Sequence, residues 1–219
     1  MSDPVTVFVT GGTGYIGGQL LPRLIAQGHR VYALARPAAR AKLPFGAQVV
    51  LGDALDARSY QTQVPRGCTF VHLVGVSHPN PGKAAQFFSV DLASVRASLD
   101  AALNAGARHF VYISVAQPAP VMQAYIATRQ AAETLIRTSG IPATILRPWY
   151  VLGPGHRWPI LLRPVYWLAE CFPPTARTAH RLGLVKLDRF VDALIRAIES
   201  PATQDCRVLD VSSIRSLAF

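Results

Sequence analysis

Acidic residues, lysine and cysteine are all scarce in this sequence of 219 residues. The three cysteines, Cys68, Cys171 and Cys206, show neither CxxC nor metal-ligand spacing, so the sequence predicts no disulfide framework and no metal site. A run of about eighteen uncharged apolar residues, as a membrane-spanning helix requires, is also missing. These absences exclude a disulfide-rich secreted domain and an integral membrane segment from the expected classes.

The scarcity of acids leaves a formal net charge of +10. A strongly positive net charge favours binding to phosphate-rich partners. Because no nucleic-acid-binding motif accompanies the charge, we expect no specific nucleic-acid partner. The segment Met1–Pro4 carries no basic region ahead of the first apolar run, which argues against a signal peptide. Half of the residues are hydrophobic, and together these features favour a globular, cytoplasmic protein.

A glycine-rich stretch follows the first apolar run. Residues 5–10 read as a buried strand, Gly11, Gly14 and Gly17 follow at a regular spacing, and a helical pattern then continues to Gly28. Glycines at this spacing permit a tight turn, close approach of a pyrophosphate, and packing of the helix against the strand. The pattern therefore predicts a dinucleotide site, the simpler alternative being an ordinary flexible turn.

The end of the second predicted strand, at residues 30–35, bears on which dinucleotide would bind. An acidic residue at this place holds the ribose 2′-hydroxyl of NAD, whereas arginine accommodates the 2′-phosphate of NADP. Arg36 occupies the position, and no acid lies between Asp3 and Asp53. We therefore expect NADP rather than NAD, although Arg36 could instead begin a solvated loop.

Strands and helices alternate along most of the sequence. Further strands are predicted at 47–51, 68–75, 109–114 and 143–147, with helices at 83–105 and 121–139. Such alternation predicts an α/β fold with a doubly wound parallel sheet. Residues 1–155 would form the dinucleotide-binding domain. Residues 156–219, with a helix at 188–199 and a strand at 207–211, would form a small C-terminal lobe packed on it.

Polar and small residues follow several of these strands, where open α/β sheets bind ligands. Asp53 could accept a hydrogen bond from an adenine amino group or cap a short helix near Asp56. Gly75 would let the backbone approach a cofactor closely. His72 lies within an apolar run and is predicted to be a core histidine.

Three side chains suggest proton transfer at the same sheet edge. Ser114 ends a predicted strand, and Tyr125 and Arg129 are four residues apart on the next helix, so they share a face. Tyr125 would act as general acid or base on a carbonyl or alcohol, with Ser114 orienting the substrate oxygen. Each residue alone also has an ordinary structural interpretation, as a packing tyrosine or a capping serine.

With these motifs in order, the sequence resembles the extended and atypical short-chain dehydrogenase/reductases. The resemblance spans about residues 5–155 and is carried by residues 10–17, 52–53, 111–114 and 147–155. It implies a Rossmann fold that binds NAD(P), with Ser114 and Tyr125 at the family's catalytic positions and Pro148 near the nicotinamide. The predicted cofactor site comprises Gly11, Thr13, Gly14, Tyr15, Ile16, Gly17, Arg36, Asp53, Ala54, Val74, Gly75, Arg129 and Pro148.

Two positions depart from the family's pattern. Arg129 stands where the family has lysine, and Asp91 stands where many members have asparagine. Arginine keeps the charge but not the shape of lysine, and Asp91 would either oppose ionisation of Tyr125 or pair with Arg129. Ser114 with Tyr125 predicts an NADP(H)-dependent oxidoreductase acting on a small apolar carbonyl or alcohol. Arg129 and Asp91 favour the alternative, a non-catalytic NADP(H)-binding redox sensor or assembly factor.

Residues 157–177 form an aromatic and arginine-rich segment. Three hypotheses suit it, namely a lid over an apolar substrate, a peripheral contact with anionic membrane lipid, and a cover for the sheet edge or a dimer contact. His156 and His180 have no ligand spacing with other residues, which is a further reason to expect no metal. The oligomeric state is left open by the sequence.

Overall fold

The computed structural model describes residues 3–77, 79–119, 121–154, 183–202 and 205–217. Its strands are short, as expected for apolar segments bounded by glycine, proline and polar turns. They are β1 (Thr6–Thr10), β2 (Arg30–Ala35), β3 (Gln48–Leu51), β4 (Thr69–His72), β5 (His109–Ile113), β6 (Ala143–Leu146), β7 (Tyr150–Leu152), β8 (Leu184–Lys186) and β9 (Cys206–Leu209).

Most helices lie between these strands in the chain, and the last one follows β9. They are α1 (Gly17–Ala26), α2 (Ala84–Gln86), α3 (Ala93–Asn104), α4 (Gln123–Thr138), α5 (Leu187–Glu199) and α6 (Val211–Ser216). A π-helical turn at Phe87–Leu92 joins α2 to α3 without a break. Shorter 3-10 turns occur at Pro37–Lys42, Ala57–Ser59, Gln61–Gln63 and Pro81–Lys83.

Seven strands form one sheet in the order β3-β2-β1-β4-β5-β6-β9, and every neighbouring pair in it is parallel. The order reverses between β1 and β4, so their carboxyl ends open a crevice at the switch point of the sheet. The predicted doubly wound α/β fold is confirmed. Strands β7 and β8 pair separately as a small parallel sheet.

The apolar core has two halves, one on each face of the large sheet. On one face α1 and α5 pack against the strands through buried residues such as Leu21 and Phe190. On the other face α3 and α4 pack through residues such as Leu99 and Ile136. Because both faces of the central strands are covered, these strands are mainly apolar, which is why they could be predicted from the sequence.

The structure also contains elements that the sequence analysis did not predict. The helix predicted at 83–105 contains the π-helical turn, and α6 follows directly on β9. The described C-terminal residues are not confined to a separate lobe, because β9 pairs with β6 at one edge of the large sheet. The predicted domain boundary at residue 155 stays a prediction, since residues 155–182 lie outside the described part of the chain.

Candidate functional site

The glycine turn between β1 and α1 is closed so tightly that side chains cannot enter it. Gly11 has φ +77°, and an added Cβ would lie 2.7 Å from the Leu73 carbonyl carbon at the end of β4. At Gly17 an added Cβ would lie 2.6 Å from the backbone of Gly11 and of Gly12. The start of α1 is therefore pressed against the turn, which brings the positive end of the helix dipole to the sheet's carboxyl edge.

A cleft of about 390 Å³ opens above this turn. Its lining includes eight of the predicted cofactor-binding residues, namely Gly11, Thr13, Gly14, Arg36, Asp53, Ala54, Val74 and Gly75. Seven further residues of the lining were not predicted to bind the cofactor, namely Leu34, Ala35, Ala39, Gly52, Leu55, Leu73 and Val90. Most of them are direct neighbours of a predicted residue in the sequence. Their position in the cleft could therefore have been predicted from the ends of the strands.

Arg36 and Asp53 lie at the same end of this cleft, after β2 and β3. Arg36 is exposed and precedes the Pro37–Lys42 turn, so its charge faces solvent at the cleft. Asp53 is also exposed, and its Oδ1 accepts a hydrogen bond from the Leu55 N–H at 3.0 Å. The short helix that Asp53 was suggested to cap is instead capped by Asp56, which accepts from the Arg58 N–H.

Five predicted cofactor residues are absent from the lining of this cleft. Ile16 precedes α1 and, with Tyr15, packs against the core, while Gly17 closes the turn from beneath. Pro148 is buried, and its carbonyl accepts from the Ala116 N–H at 3.0 Å, which ties the ends of β5 and β6 together. Arg129 lies behind Gly75, where an added Cβ would come within 2.7 Å of its Nη2.

Arg129 and Asp91 form a buried ion pair behind the cleft wall. Arg129 Nη2 donates to Asp91 Oδ2 at 3.1 Å, and Asp91 Oδ1 accepts from the Val76 N–H at 2.7 Å. Burial raises the pKa of the Asp91 carboxyl, although Arg129 and the Val76 N–H act against that shift. Of the two arrangements considered for Asp91, the structure shows the one in which it pairs with Arg129.

The guanidinium of Arg129 is also enclosed by aromatic rings. Its Cζ lies 4.9 Å from the ring centroid of Tyr125 and 5.6 Å from that of Tyr112. Nη1 donates to the Tyr112 hydroxyl and to the Ile113 carbonyl, both at 3.0 Å. Burial opposes the charge on Arg129, but the tyrosines and Asp91 outweigh it, so the pKa of Arg129 is raised. Burial likewise raises the pKa of Tyr112 to about 12.

Ser114 has its own buried partner. Its Oγ donates to Glu133 Oε1 at 2.6 Å, and the same carboxylate accepts from Gln117 Nε2 and from the Arg147 guanidinium. The contact with Glu133 raises the pKa of Arg147. Ser114 therefore joins a polar cluster that ties the ends of β5 and β6 to α4.

Sequence reasoning missed Glu133, yet a signal for it was present. Tyr125, Arg129 and Glu133 follow one another at four-residue intervals, so all three side chains project from one face of α4. With a rise of about 1.5 Å per residue, Glu133 lies about 12 Å along the helix from Tyr125. The structure thus brings Arg129 against Tyr125 and turns the Ser114 hydroxyl toward a residue two turns further along.

His72 is a core histidine, as predicted. It is buried, and its Nδ1 shares hydrogen bonds with Thr10 Oγ1 at 3.0 Å and Ser98 Oγ at 2.9 Å. Burial, assisted by the nearby Arg129 charge, lowers the pKa of His72 to about 3. The ring is therefore neutral and serves to satisfy hydroxyl groups beneath the glycine turn.

A protein-family model identifies the family of this chain. The family described as NAD(P)H-binding matches residues 11–156, which contain the glycine turn, the cleft and the Tyr125–Arg129 pair. The chain belongs to this NAD(P)H-binding family. The expectation of a dinucleotide cofactor is thereby confirmed in its broader form, NAD(P). The predicted resemblance to short-chain dehydrogenase/reductases is confirmed together with the solved structures below, which share the fold.

Two curated relatives of this NAD(P)H-binding protein are reductases by name. It is 26% identical over 95% of its length to the ceramide reductase of Caulobacter vibrioides, of which it covers 65%. It is 31% identical over 93% of its length to the 3-diazoavenalumate denitrifying reductase of a Streptomyces species, of which it covers 75%. The chain thus spans slightly less than two thirds of the first relative.

Solved structures support the same fold. A short-chain dehydrogenase/reductase superfamily protein from Agrobacterium tumefaciens with bound NAD superposes with a TM-score of 0.66 at 19% identity. The match covers 97% of the NAD(P)H-binding chain and 81% of that protein. At this level of identity the comparison concerns the fold alone.

The remaining expectations concern regions or features beyond this site. Within the described ranges no cluster of three or more potential metal-ligating side chains occurs, and no helix is long and apolar enough to cross a membrane. The hypotheses on residues 157–177, and the positions of His156, Cys171 and His180, fall in the part of the chain that the structure does not describe. They stay predictions.

Proposed function

We propose that this protein is an NADP(H)-dependent reductase of small apolar carbonyl compounds, or an NADP-dependent dehydrogenase of the corresponding alcohols. The observation that carries the proposal is the alignment of Gly75, Arg129 and Tyr125. Gly75 belongs to the cofactor cleft, Arg129 lies directly behind it, and the Tyr125 ring stacks on the Arg129 guanidinium. A phenol held one side chain away from a dinucleotide cleft is a candidate to move a proton while hydride is exchanged.

The residues around the cleft suit both the pyrophosphate and the 2′-phosphate of NADP(H). Because Gly11 and Gly17 carry no Cβ, the turn closes against the end of β4 and the start of α1, which would bring the N-terminal N–H groups of α1 toward a pyrophosphate. Arg36 offers a guanidinium to a 2′-phosphate, and Asp53, the one acid among the described residues that line the cleft, is engaged with the Leu55 N–H. These features support NADP(H) over NAD(H).

In the proposed reaction the nicotinamide supplies hydride to the substrate carbon. Tyr125 donates its phenolic proton to the substrate oxygen, and the Arg129 guanidinium that lies on its ring holds the tyrosine in place. Ser114 contributes as an anchor and as a hydrogen-bond acceptor, because its own hydrogen is donated to Glu133. The named activities of the two curated relatives support a reductase.

The second candidate is an NADP(H)-binding protein without turnover. It is favoured by the Asp91–Arg129 pair, because Asp91 cancels the net cationic charge that would otherwise stand beside Tyr125. Such a protein would bind NADP(H) as a redox sensor or an assembly factor.

Two measurements separate these candidates. Calorimetric titration with NADPH and NADH gives the affinity for each cofactor, and the absorbance of reduced nicotinamide then shows whether apolar aldehydes, ketones or quinones oxidise the bound NADPH. We expect tight NADPH binding and oxidation by at least one carbonyl. The Tyr125→Phe variant should lose about 10²–10⁴-fold in kcat with nearly unchanged NADPH affinity. NADPH binding without oxidation by any compound would favour the second candidate, and a fully active Tyr125→Phe would remove the tyrosine from the mechanism.

A further inference from the structure

The π-helical turn between α2 and α3 carries two side chains that converge on Tyr125. Phe87 is fully buried and meets the Tyr125 ring edge-on, with centroids 5.1 Å apart and planes inclined by 62°. Asp91, four residues later in the same turn, holds Arg129 against the Tyr125 ring. The phenol ring is thus contacted by an aromatic edge and by a guanidinium, both fixed by this one turn.

We propose that Asp91 and Arg129 act as one positioning unit, with Phe87 as its second support, and that this unit couples Tyr125 to the cofactor cleft. The coupling runs through Asp91, because its second oxygen accepts from the Val76 N–H immediately after Gly75. Movement of the cleft wall at Gly75 and Val76 would therefore be transmitted to Arg129 and to the tyrosine ring. In this arrangement Arg129 positions the proton donor.

The planar shape of arginine explains why this unit needs Arg129 rather than lysine. One nitrogen bonds Asp91, another bonds the Tyr112 hydroxyl and the Ile113 carbonyl, and the flat group lies near two phenol rings. A lysine ammonium is a compact charge, and it cannot lie flat on an aromatic ring while donating hydrogen bonds in two directions from a planar group. The departure from the family pattern at Asp91 complements the one at Arg129, because a buried guanidinium without a carboxylate partner is strongly unfavourable.

A double-mutant cycle of Asp91→Asn and Arg129→Lys tests this unit. We expect each single change to lower kcat/KM by about tenfold or more, and the double variant to lose no more than about the worse single change, because the residues share one interaction. Arg96→Lys and Asp100→Asn, both exposed on α3, are the matched controls and should behave like the parent. Losses that multiply in the double variant would overturn the inference.

A second measurement does not depend on turnover. In protein labelled with ¹³C on its tyrosine rings, the Tyr125 signal, assigned with Tyr125→Phe, should move in Asp91→Asn and when NADPH binds. It should be unchanged in both controls. A Tyr125 signal indifferent to Asp91→Asn overturns the inference. If the signal moves but no substrate is reduced, the proposed function fails while the positioning unit stands.

Phe87→Leu keeps the test decisive if loss of the buried ion pair prevents Asp91→Asn from folding. This variant leaves Asp91 and Arg129 intact and removes only the aromatic edge from Tyr125. We expect kcat to fall several-fold with unchanged KM for NADPH, together with a displaced Tyr125 signal. A merely structural Phe87 would lower the melting temperature and leave kcat as in the parent, which would contradict its role as a support.

Discussion

Two adjacent glycines at the start of α1 offer a test of the cofactor turn in which opposite results are expected. Gly17 and Gly18 both lie in the first turn of the helix. A Cβ on Gly17 would lie 2.6 Å from three backbone atoms of Gly11 and Gly12, whereas a Cβ on Gly18 would meet nothing within 4 Å. The same substitution, glycine to alanine, should therefore damage one position and benefit the other.

The expected magnitudes follow from these contacts. Ordinary van der Waals contact begins near 3.4 Å, so the Gly17→Ala methyl group is 0.8 Å too close to rigid backbone. Relieving this overlap should cost about 1–3 kcal/mol, which corresponds to a melting temperature lower by about 2–12 °C for a domain of this size. Displacing α1 also moves its N-terminal N–H groups away from the turn. NADPH affinity should then fall by about tenfold or more.

Gly18→Ala is the matched control. Alanine at this exposed helical position should stabilise the fold by about 0.5–1 kcal/mol without touching the cleft. Thermal unfolding and calorimetric titration with NADPH measure both effects in the same pair of proteins. If Gly17→Ala melts and binds NADPH as Gly18→Ala does, the turn is not closed as the structure shows, and the fit to a pyrophosphate is lost.

Three other predictions concern single side chains. Arg36→Asp should weaken NADPH binding and favour NADH in relative terms; an unchanged preference in the titration would exclude Arg36 from 2′-phosphate recognition. Ser114→Ala should lower stability by about 1–2 kcal/mol through Glu133 and lower kcat only several-fold. A loss comparable to that of Tyr125→Phe would instead show that the serine orients the substrate. Because His72 has a pKa of about 3 when folded and 6.5 ordinarily, the unfolding free energy should fall as pH drops from about 6.5 toward 3. His72→Gln should flatten that slope in urea titrations, and an unaltered slope would contradict the assignment.

The large sheet could be predicted because its signals are local. Each central strand is a short apolar run that ends at glycine or a polar residue, and burial on both faces makes that run continuous. The glycine turn was equally visible, since only glycine permits the backbone contacts found at Gly11 and Gly17. The pair of β7 and β8 escaped prediction because each strand has three residues, and their partners are separated by more than thirty positions.

The arrangement around Tyr125 could not be derived from spacing, because it depends on the π-helical turn. If residues from Ala84 to Asn104 formed a regular α-helix, the side chains after Phe87 would point in other directions than they do in the structure. The position of Asp91 in the sequence therefore did not determine which side of the helix it occupies. The sequence could therefore offer two arrangements for Asp91 but could not choose between them. Only the backbone geometry places the carboxylate on Arg129.

The face of α4 carries a different lesson, because there the spacing alone was informative. Tyr125 and Arg129 were paired by their four-residue interval, and the same interval leads on to Glu133. A buried carboxylate needs donors, and the hydroxyl at the end of β5 and the arginine at the end of β6 are the groups that topology brings within reach. Extending the pattern by one interval would have predicted a partner for Ser114 other than the substrate. A strand-end serine should thus be assigned to catalysis only after the next turn of the helix facing it has been searched for an acceptor.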